Sequence, residues 1–485
     1  MRSHGLLAIV LLFSIGGFGR DLRGPVGCDQ LTLWTGSGIS SGSLTRFVEQ
    51  RGIGFSVSEQ ATNALTAAGA NPSLIRALRT MSVTTNRAGG GDCSAPITNA
   101  GALLHQRHYD QAQALLNSLI TKDPENAALY FALGYLREQQ GDLDEAFDNF
   151  SDAKDWMPGF AETHSRLAYV FYRLDDADNA IAEARSALSM DPQNAEAYRY
   201  LGLGLYANQQ YQAALHAFEE SLDREPNNPD TYYDMGIALR GKGDLTRAAS
   251  AYRAALRANP QFWQAHSNLG IVLHDLGRFG EAIAEYREAK RLAPNEPSVR
   301  NNLGNTYCDQ GNYDAAIAEF RELFRLNPSW GKGHDFLAKA LMAKEDYPAA
   351  IAELKLAILQ HPTGSAEHRV LGQALLLSGQ QKEAVRELRL AVALDPDSPL
   401  AHHYLGTALF QAEQWSAAAE EFQQALRLQP TATNHYSLAA CLMSIGNYDQ
   451  ALAELDTAAR LEPGQDLYRA RKQELLKLMK ATKTR

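Results

Sequence analysis

Prolines stand at positions 124, 158, 192, 226, 260, 294, 328, 362, 396 and 430, each 34 residues after the last, and Pro463 follows after 33. An alanine series keeps the same step from Ala112 through Ala146, Ala180, Ala214, Ala248, Ala282, Ala316, Ala350 and Ala384 to Ala418. A third series is apolar: Leu133, Leu167, Leu201, Met235, Leu269, Leu303, Leu337, Leu371, Leu405 and Leu438, each followed directly by Gly or Ala. A period of this length marks one supersecondary unit, repeated. Such a unit cannot bury its apolar face alone and must stack on its neighbours.

The positions within one period describe a helical hairpin. Between Ala195 and Ala207, Tyr198, Leu201, Leu205 and Tyr206 recur at helical spacing and predict a first helix. Gln209 and Gln210 make the turn, a place that other periods give to Gly141, Gly243, Gly277, Gly311, Gly379 or Gly446, as suits a left-handed helix end. A second helix runs through Ala214, Phe218 and Ser221 until Pro226 closes the unit. The small residues of both series let the paired helices approach, and a larger side chain there would cost roughly 1–3 kcal/mol by overpacking. Asn228-Pro229 and Ser398-Pro399 supply an N-cap followed by proline at the first helical position, starting the next hairpin.

Helix–turn–helix units of 34 residues with Leu-Gly in the first helix, Ala and an aromatic in the second, and a terminal Pro resemble tetratricopeptide repeats (TPRs). The resemblance implies an all-α fold, a right-handed superhelical solenoid of about eleven units starting at 93, 127, 161, 195, 229, 263, 297, 331, 365, 399 and 432 and covering 93–465. In the first unit Asn99 and Ala100 replace Leu-Gly, so it is expected to cap the stack. Residues 466–485 are expected to form the other cap, a basic amphipathic helix with Leu467, Leu475, Leu478 and Met479 on its apolar face.

The chain starts with a basic residue and a short apolar run, Leu6 to Phe13, then Gly17 and Gly19. This pattern predicts a signal peptide over 1–19 and export, in a bacterial cell to the periplasm or beyond. The alternative is a cytoplasmic or membrane-anchored protein that keeps this segment. Residues 20–83 read as a small helical module. In it Leu44, Phe47 and Val48 share a face, Ser56 or Ser58 caps a helix ending at Gly69, and Asn71-Pro72 starts another. The glycine-rich stretch 84–92 reads as a flexible linker. Cys28 and Cys93 bracket the module and are expected to pair in an oxidising compartment.

Chemistry is sparse. Gly38-Ile-Ser40-Ser-Gly42 spells a nucleophile elbow, but no strand pattern surrounds it. His164, His266, His334, His368, His402 and His435 all take the fourth position of their units, where Tyr130, Tyr198 and Tyr232 stand in others, and read as packing residues. No catalytic residue, metal ligand or cofactor is expected. With 46 basic against 56 acidic side chains, no cationic excess is available for nucleic acid.

The family's geometry instead implies a concave, partner-binding groove lined by the first helices. Carried onto this chain, it runs through Phe131, Tyr135, Tyr169, Arg173, Arg199, Tyr200, Tyr233, Arg240, Asn268, Asn301, Asn302, Asn305, Lys332, Lys339, Arg369 and Tyr404. Tyrosine and arginine offer large contact area, and asparagine offers both donor and acceptor to a peptide backbone. A chaperone-type carboxylate clamp would use Asn302 and Lys332, but Ile271 and Phe336 stand where its Asn and Arg belong. The expected role is a non-catalytic scaffold for peptides or proteins. A co-chaperone or assembly factor in the cytoplasm, or a regulatory subunit of an enzyme, are the alternatives.

Overall fold

A computed structural model describes residues 24–84, 93–328, 330 and 333–483. The predicted signal peptide, nearly all of the predicted linker, and Lys332 lie outside the described residues. The chain forms two compact units, Met1–Pro260 and Gln261–Arg485. The described residues are helical, and their only β pairings are the isolated bridges Val26–Ile53 and Ile53–Val83.

In the first unit four helices come first: α1 (Cys28–Gly36), α2 (Ser41–Arg51), α3 (Glu59–Ala67) and α4 (Pro72–Thr80). Hairpins follow, pairing α5 (Ala95–His105) with α6 (Tyr109–Ile120), and α7 (Ala127–Gln140) with α8 (Leu143–Trp156). Next come α9 (Ala161–Arg173) with α10 (Ala177–Met190), α11 (Ala195–Ala207) with α12 (Tyr211–Arg224), and α13 (Pro229–Gly241) with α14 (Leu245–Ala258). The second unit pairs α15 (Trp263–Asp275) with α16 (Phe279–Leu292), α17 (Pro297–Asp309) with α18 (Tyr313–Leu326), and α19 (His334–Ala343) with α20 (Tyr347–Gln360). It continues with α21 (Ser365–Leu377) and α22 (Gln381–Leu394), α23 (Pro399–Gln411) and α24 (Trp415–Leu428), and α25 (Ala432–Ile445) and α26 (Tyr448–Leu461). Helix α27 (Asp466–Lys483) ends it.

Within a hairpin, volume is complementary. Gly134, Gly202, Gly236, Gly270, Gly304 and Gly406 each face the ring of Phe150, Phe218, Tyr252, Tyr286, Phe320 or Phe422, and a Cβ on the glycine would lie only 2.5–3.0 Å from that ring. Hairpins with Ala168, Ala338 or Ala439 at this place have Ala184, Leu354 or Leu455 sixteen residues on, and Gly372 faces Leu388 instead of a ring. The turn takes a left-handed residue in every hairpin, whether Gly141, Gly243 or Gly446, or Arg107, Asp175, Gln209, Glu345 or Glu413 at φ near 60°.

One expectation about the ends is corrected. The first hairpin does not end its stack, because α1 and α3 of the module pack on α5. There Gly36 and Gly101 bring backbones so close that a Cβ on Gly36 would lie 2.5 Å from the Gly101 carbonyl oxygen. At the other end α27 packs on α26 as expected, burying Tyr468 and Leu475, while Leu467 and Leu478 of its predicted apolar face are exposed. Helix α19 starts at His334 instead of residue 331, after Gly333 at φ 114°.

Inside the module Ser40, Ser58 and Asn71 cap α2, α3 and α4 with their side-chain oxygens, which makes the Ser40 motif a helix start. A disulfide joins Cys28 to Cys93, and Asp29 accepts the Ser94 N–H at 2.7 Å, so the first residues of α1 are tied to the approach to α5.

Candidate functional site

The second position of three successive units is a carboxylate, at Glu162, Glu196 and Asp230, and the sixth is Arg166, Tyr200 and Asp234. Folding into hairpins brings them together on the first-helix face of the first unit. Arg199 Nε donates to Asp234 at 2.6 Å. Arg166 is buried, with its guanidinium 3.4 Å from Glu138, 3.5 Å from Glu196 and 3.5 Å from the Tyr200 hydroxyl. Its charge also lies over the Tyr135 ring, 5.7 Å from the centroid. Burial pushes the Glu138 and Asp234 carboxyls up, and nearby Arg166 and Arg199 offset part of this.

Around these groups lies an open polar cavity of about 310 Å³, walled by Tyr135, Tyr169, Glu196, Arg199 and Asp230 and edged by Gly38 of the module. Asp230 is half exposed there and held only loosely, 4.0 Å from Arg199. Of the arginines expected to line this stretch, Arg199 is already engaged by Asp234, and the open edge of the cavity carries Asp230. Tyr200 is 97% buried behind Tyr169, with ring centroids 5.2 Å apart, so it supports the cavity and offers no free ring. Phe131 is core. Arg173 is exposed and donates to the Tyr169 hydroxyl at 2.9 Å. Tyr233 lies against Tyr252, and Arg240 is exposed.

The module sits directly beside this cavity. Trp34 stacks on Phe160 at 4.3 Å and Phe47 packs on the same ring at 4.8 Å. Arg46 makes a two-pronged ion pair with Asp191, 145 residues away. Between them Glu162 is buried, accepts from Asn194 at 3.0 Å and leaves Oε2 without a partner. Burial, with the charges of Glu196 and Asp191 nearby, pushes its carboxyl up to about 7. Sequence reasoning missed Glu138 and Glu196. The 34-residue step that places Glu196 between Glu162 and Asp230 was the available signal.

In the second unit the asparagines sit half-buried, and Asn301 and Asn305 each leave a buried Oδ1 without a partner. Lys339 is exposed over the Phe336 ring and near Asp335, while Arg369 and Tyr404 are half-buried and Asn268 and Asn302 share the sixth position. His274 contacts Asp309 at 2.7 Å and His403 contacts Asn434 at 2.7 Å. The fourth-position histidines are more than packing residues. His164, His266, His334, His368, His402 and His435 each set Nδ1 against a glutamate nineteen residues on, at 2.5–2.8 Å. His164, His368 and His402 also place Nε2 on the carbonyl of the preceding repeat proline. These imidazoles tie the two helices of a hairpin to each other, and three of them tie it to the incoming turn as well. Among the described residues no group of three or more His, Cys, Asp or Glu is arranged to hold a metal ion.

A family model described as tetratricopeptide repeat matches residues 98–156, 165–229, 233–297 and 337–399, together more than half of the chain, and a second of the same description matches 273–340. The chain belongs to the tetratricopeptide repeat family. Residues 378–458 of this TPR protein also match a model described as anaphase-promoting complex, cyclosome, subunit 3. None of the curated proteins compared with it matches. Among solved structures it is similar to a tetratricopeptide repeat protein from Parabacteroides merdae at 15% identity, covering 51% of this chain and 98% of that one, TM-score 0.42. It is also similar to yeast Tom70 at 16% identity (80% and 94% covered, TM-score 0.36) and to MamA of Desulfovibrio magneticus at 22% (34% and 94%, TM-score 0.34). TPR proteins serve as protein-interaction scaffolds, and none of the matching models describes a catalyst. No helix among the described residues is long and apolar enough to cross a membrane.

Proposed function

We propose that this TPR protein is a non-catalytic scaffold that holds peptide segments against the first-helix face of its first unit, and that it does so after export. The observation that carries the reading is the polar cavity over α7, α9, α11 and α13, built by four successive hairpins from tyrosines and charged groups. Its exposed edge, Asp230 with Glu196, favours a segment carrying lysine or arginine, whose charge would find two loosely paired carboxylates. Export is supported by the apolar run at Leu6–Phe13 and by the Cys28–Cys93 disulfide, since such bonds persist in oxidising compartments.

Fluorescence anisotropy with lysine-rich and glutamate-rich peptides of equal length tests the binding reading. The lysine-rich peptide should bind more tightly, and Asp230→Lys with Glu196→Lys should erase the difference. Equal binding of both peptides would count against the cavity. N-terminal sequencing after cell fractionation tests export, and a cytosolic chain that retains Met1 would contradict it.

A further inference from the structure

On several second helices the outward charges neutralise one another within a turn: Arg224 with Glu220 on α12, Arg291 with Glu288 on α16, and Arg325 with Glu322 on α18. Helices α8 and α22 are not balanced in this way. On α8, Asp144, Asp148, Asp152 and Asp155 are all exposed, and none is in an ion pair among the described residues. The helix's one cation, Lys154, is turned to Glu183, and its Glu145 is taken by Arg137. Burial and the like charges of Asp155 and Asp148 hold the Asp152 carboxyl above its ordinary range, as expected where acids are left uncompensated. Trp156 closes this face, 43% exposed.

On α22 the stripe is the opposite. Lys382, Arg386 and Arg389 alternate with Val385, Leu390 and Ala393 at steps of three and four and line an open surface groove of about 580 Å³. Lys382 and Arg389 have no carboxylate partner among the described residues, and Arg386 has only its chain neighbour Glu387 at 3.4 Å. Glu387 is itself held by His368, and Glu383 is the helix's other acid. Leu390 takes the unit position that α16 and α18 give to Glu288 and Glu322, and it is 41% exposed. The register that removes an acid here inserts an apolar residue in its place.

We propose that the basic and apolar face of α22 is a docking site for a second copy of this chain, which presents the acidic face of its α8. The cations of α22 and the acids of α8 share the same helical spacing, so two helices laid side by side bring unpaired charges of opposite sign into register. Trp156 supplies an aromatic anchor for Leu390 and Val385, the arrangement that concentrates binding energy at interfaces. The chain's net charge of −10 opposes any unspecific approach of two copies, so attraction arises only where a cationic face is presented. The contact is heterologous: a pair leaves α8 free on one copy and α22 free on the other, and association continues past two copies unless a ring closes.

Sedimentation velocity of the full chain over a range of concentration and salt tests this. The wild type should self-associate at low salt and dissociate as salt rises. Arg386→Glu with Arg389→Glu, and separately Asp148→Arg with Asp152→Arg, should each weaken self-association by about tenfold or more. Mixing the two variants should restore it, because each then presents to the other the charge its own kind lacks. This also shows that both variants are folded. A wild type that stays monomeric throughout would overturn the proposal. So would association that both variants leave unchanged, or a monomer that instead binds phosphatidylglycerol vesicles through Arg386.

Discussion

Arg300 donates to Glu319 at 3.1 Å from the unit position that six other hairpins give to histidine, and its other terminal nitrogen donates to the Pro294 carbonyl at 3.2 Å. His402 meets Glu421 and the Pro396 carbonyl in the same way. Tyr130 and Tyr232 keep only the second contact, donating to Pro124 and Pro226. In these units the fourth position is a donor's place, whereas Tyr198 accepts from Arg224, which itself donates to the Pro192 carbonyl.

Replacing His402 with Arg should leave stability nearly unchanged, since Arg300 shows the guanidinium serving both contacts. His402→Phe fills the space but leaves Glu421 and a carbonyl without donors, and should cost about 1–3 kcal/mol. Urea denaturation of both variants, followed by hydrogen exchange in α23 and α24, checks this.

Gly202→Ala should destabilise the α11–α12 hairpin by roughly 1–3 kcal/mol, because the new methyl group would lie 2.5 Å from the Phe218 ring. Adding Phe218→Leu should recover part of the loss, as in hairpins that combine Ala338 with Leu354. A double-mutant cycle on thermal melts measures the coupling, and strictly additive effects would argue against the complementarity.

Much of this was legible in sequence because each unit repeats the same constraints. First helices begin at Ala127, Ala161, Ala195, Pro229, Trp263, Pro297, Ser365, Pro399 and Ala432, the start of the unit read from the prolines. What repeats could be read, and what occurs once could not. The approach of Gly36 to Gly101 and the pairing of Arg46 with Asp191 join segments with no counterpart elsewhere in the chain. The histidines were visible singly, yet their meaning lay in glutamates nineteen residues on. At the cavity, tyrosines and arginines stood out by residue type, whereas burial decides that Tyr200 is floor and that Arg199 is spent on Asp234.

Glu413 adopts φ 59° where six other hairpins have glycine. Glu413→Gly should relieve left-handed strain and stabilise the α23–α24 hairpin by about 1 kcal/mol, and Gly446→Ala should cost a similar amount in α25–α26. Melting midpoints moving the other way would contradict the turn assignment.

Docking of the module should weaken with alkali. The folded-state pKa of Glu162 is raised from 4.5 to about 7, so its contribution is complete below 4.5 and is lost as pH rises through 7. Glu183 has the opposite sign: burial raises it, but hydrogen bonds from His164 and Lys154 outweigh this, and its stabilisation is lost as pH falls below the ordinary carboxylate range. Protection of α2 amides, corrected for base-catalysed intrinsic exchange, should fall between about pH 4.5 and 7.5, and Glu162→Gln should flatten that profile.

Reduction of Cys28–Cys93 opens a loop spanning 65 residues and should cost about 4 kcal/mol by loop-closure entropy. The loss should appear in the module and α5, and leave the second unit's exchange unchanged. Paired hydrogen-exchange runs with and without reductant report it.

The scaffold role is tested most directly by placing a photo-crosslinking amino acid at Tyr169 and, as the outward control, at exposed Arg185 on α10, then irradiating cells and identifying adducts by mass spectrometry. Polypeptide adducts rich in lysine and arginine near the crosslink are expected at position 169, and none in common with those at 185. Adducts that are absent at 169, or identical at both positions, would contradict it.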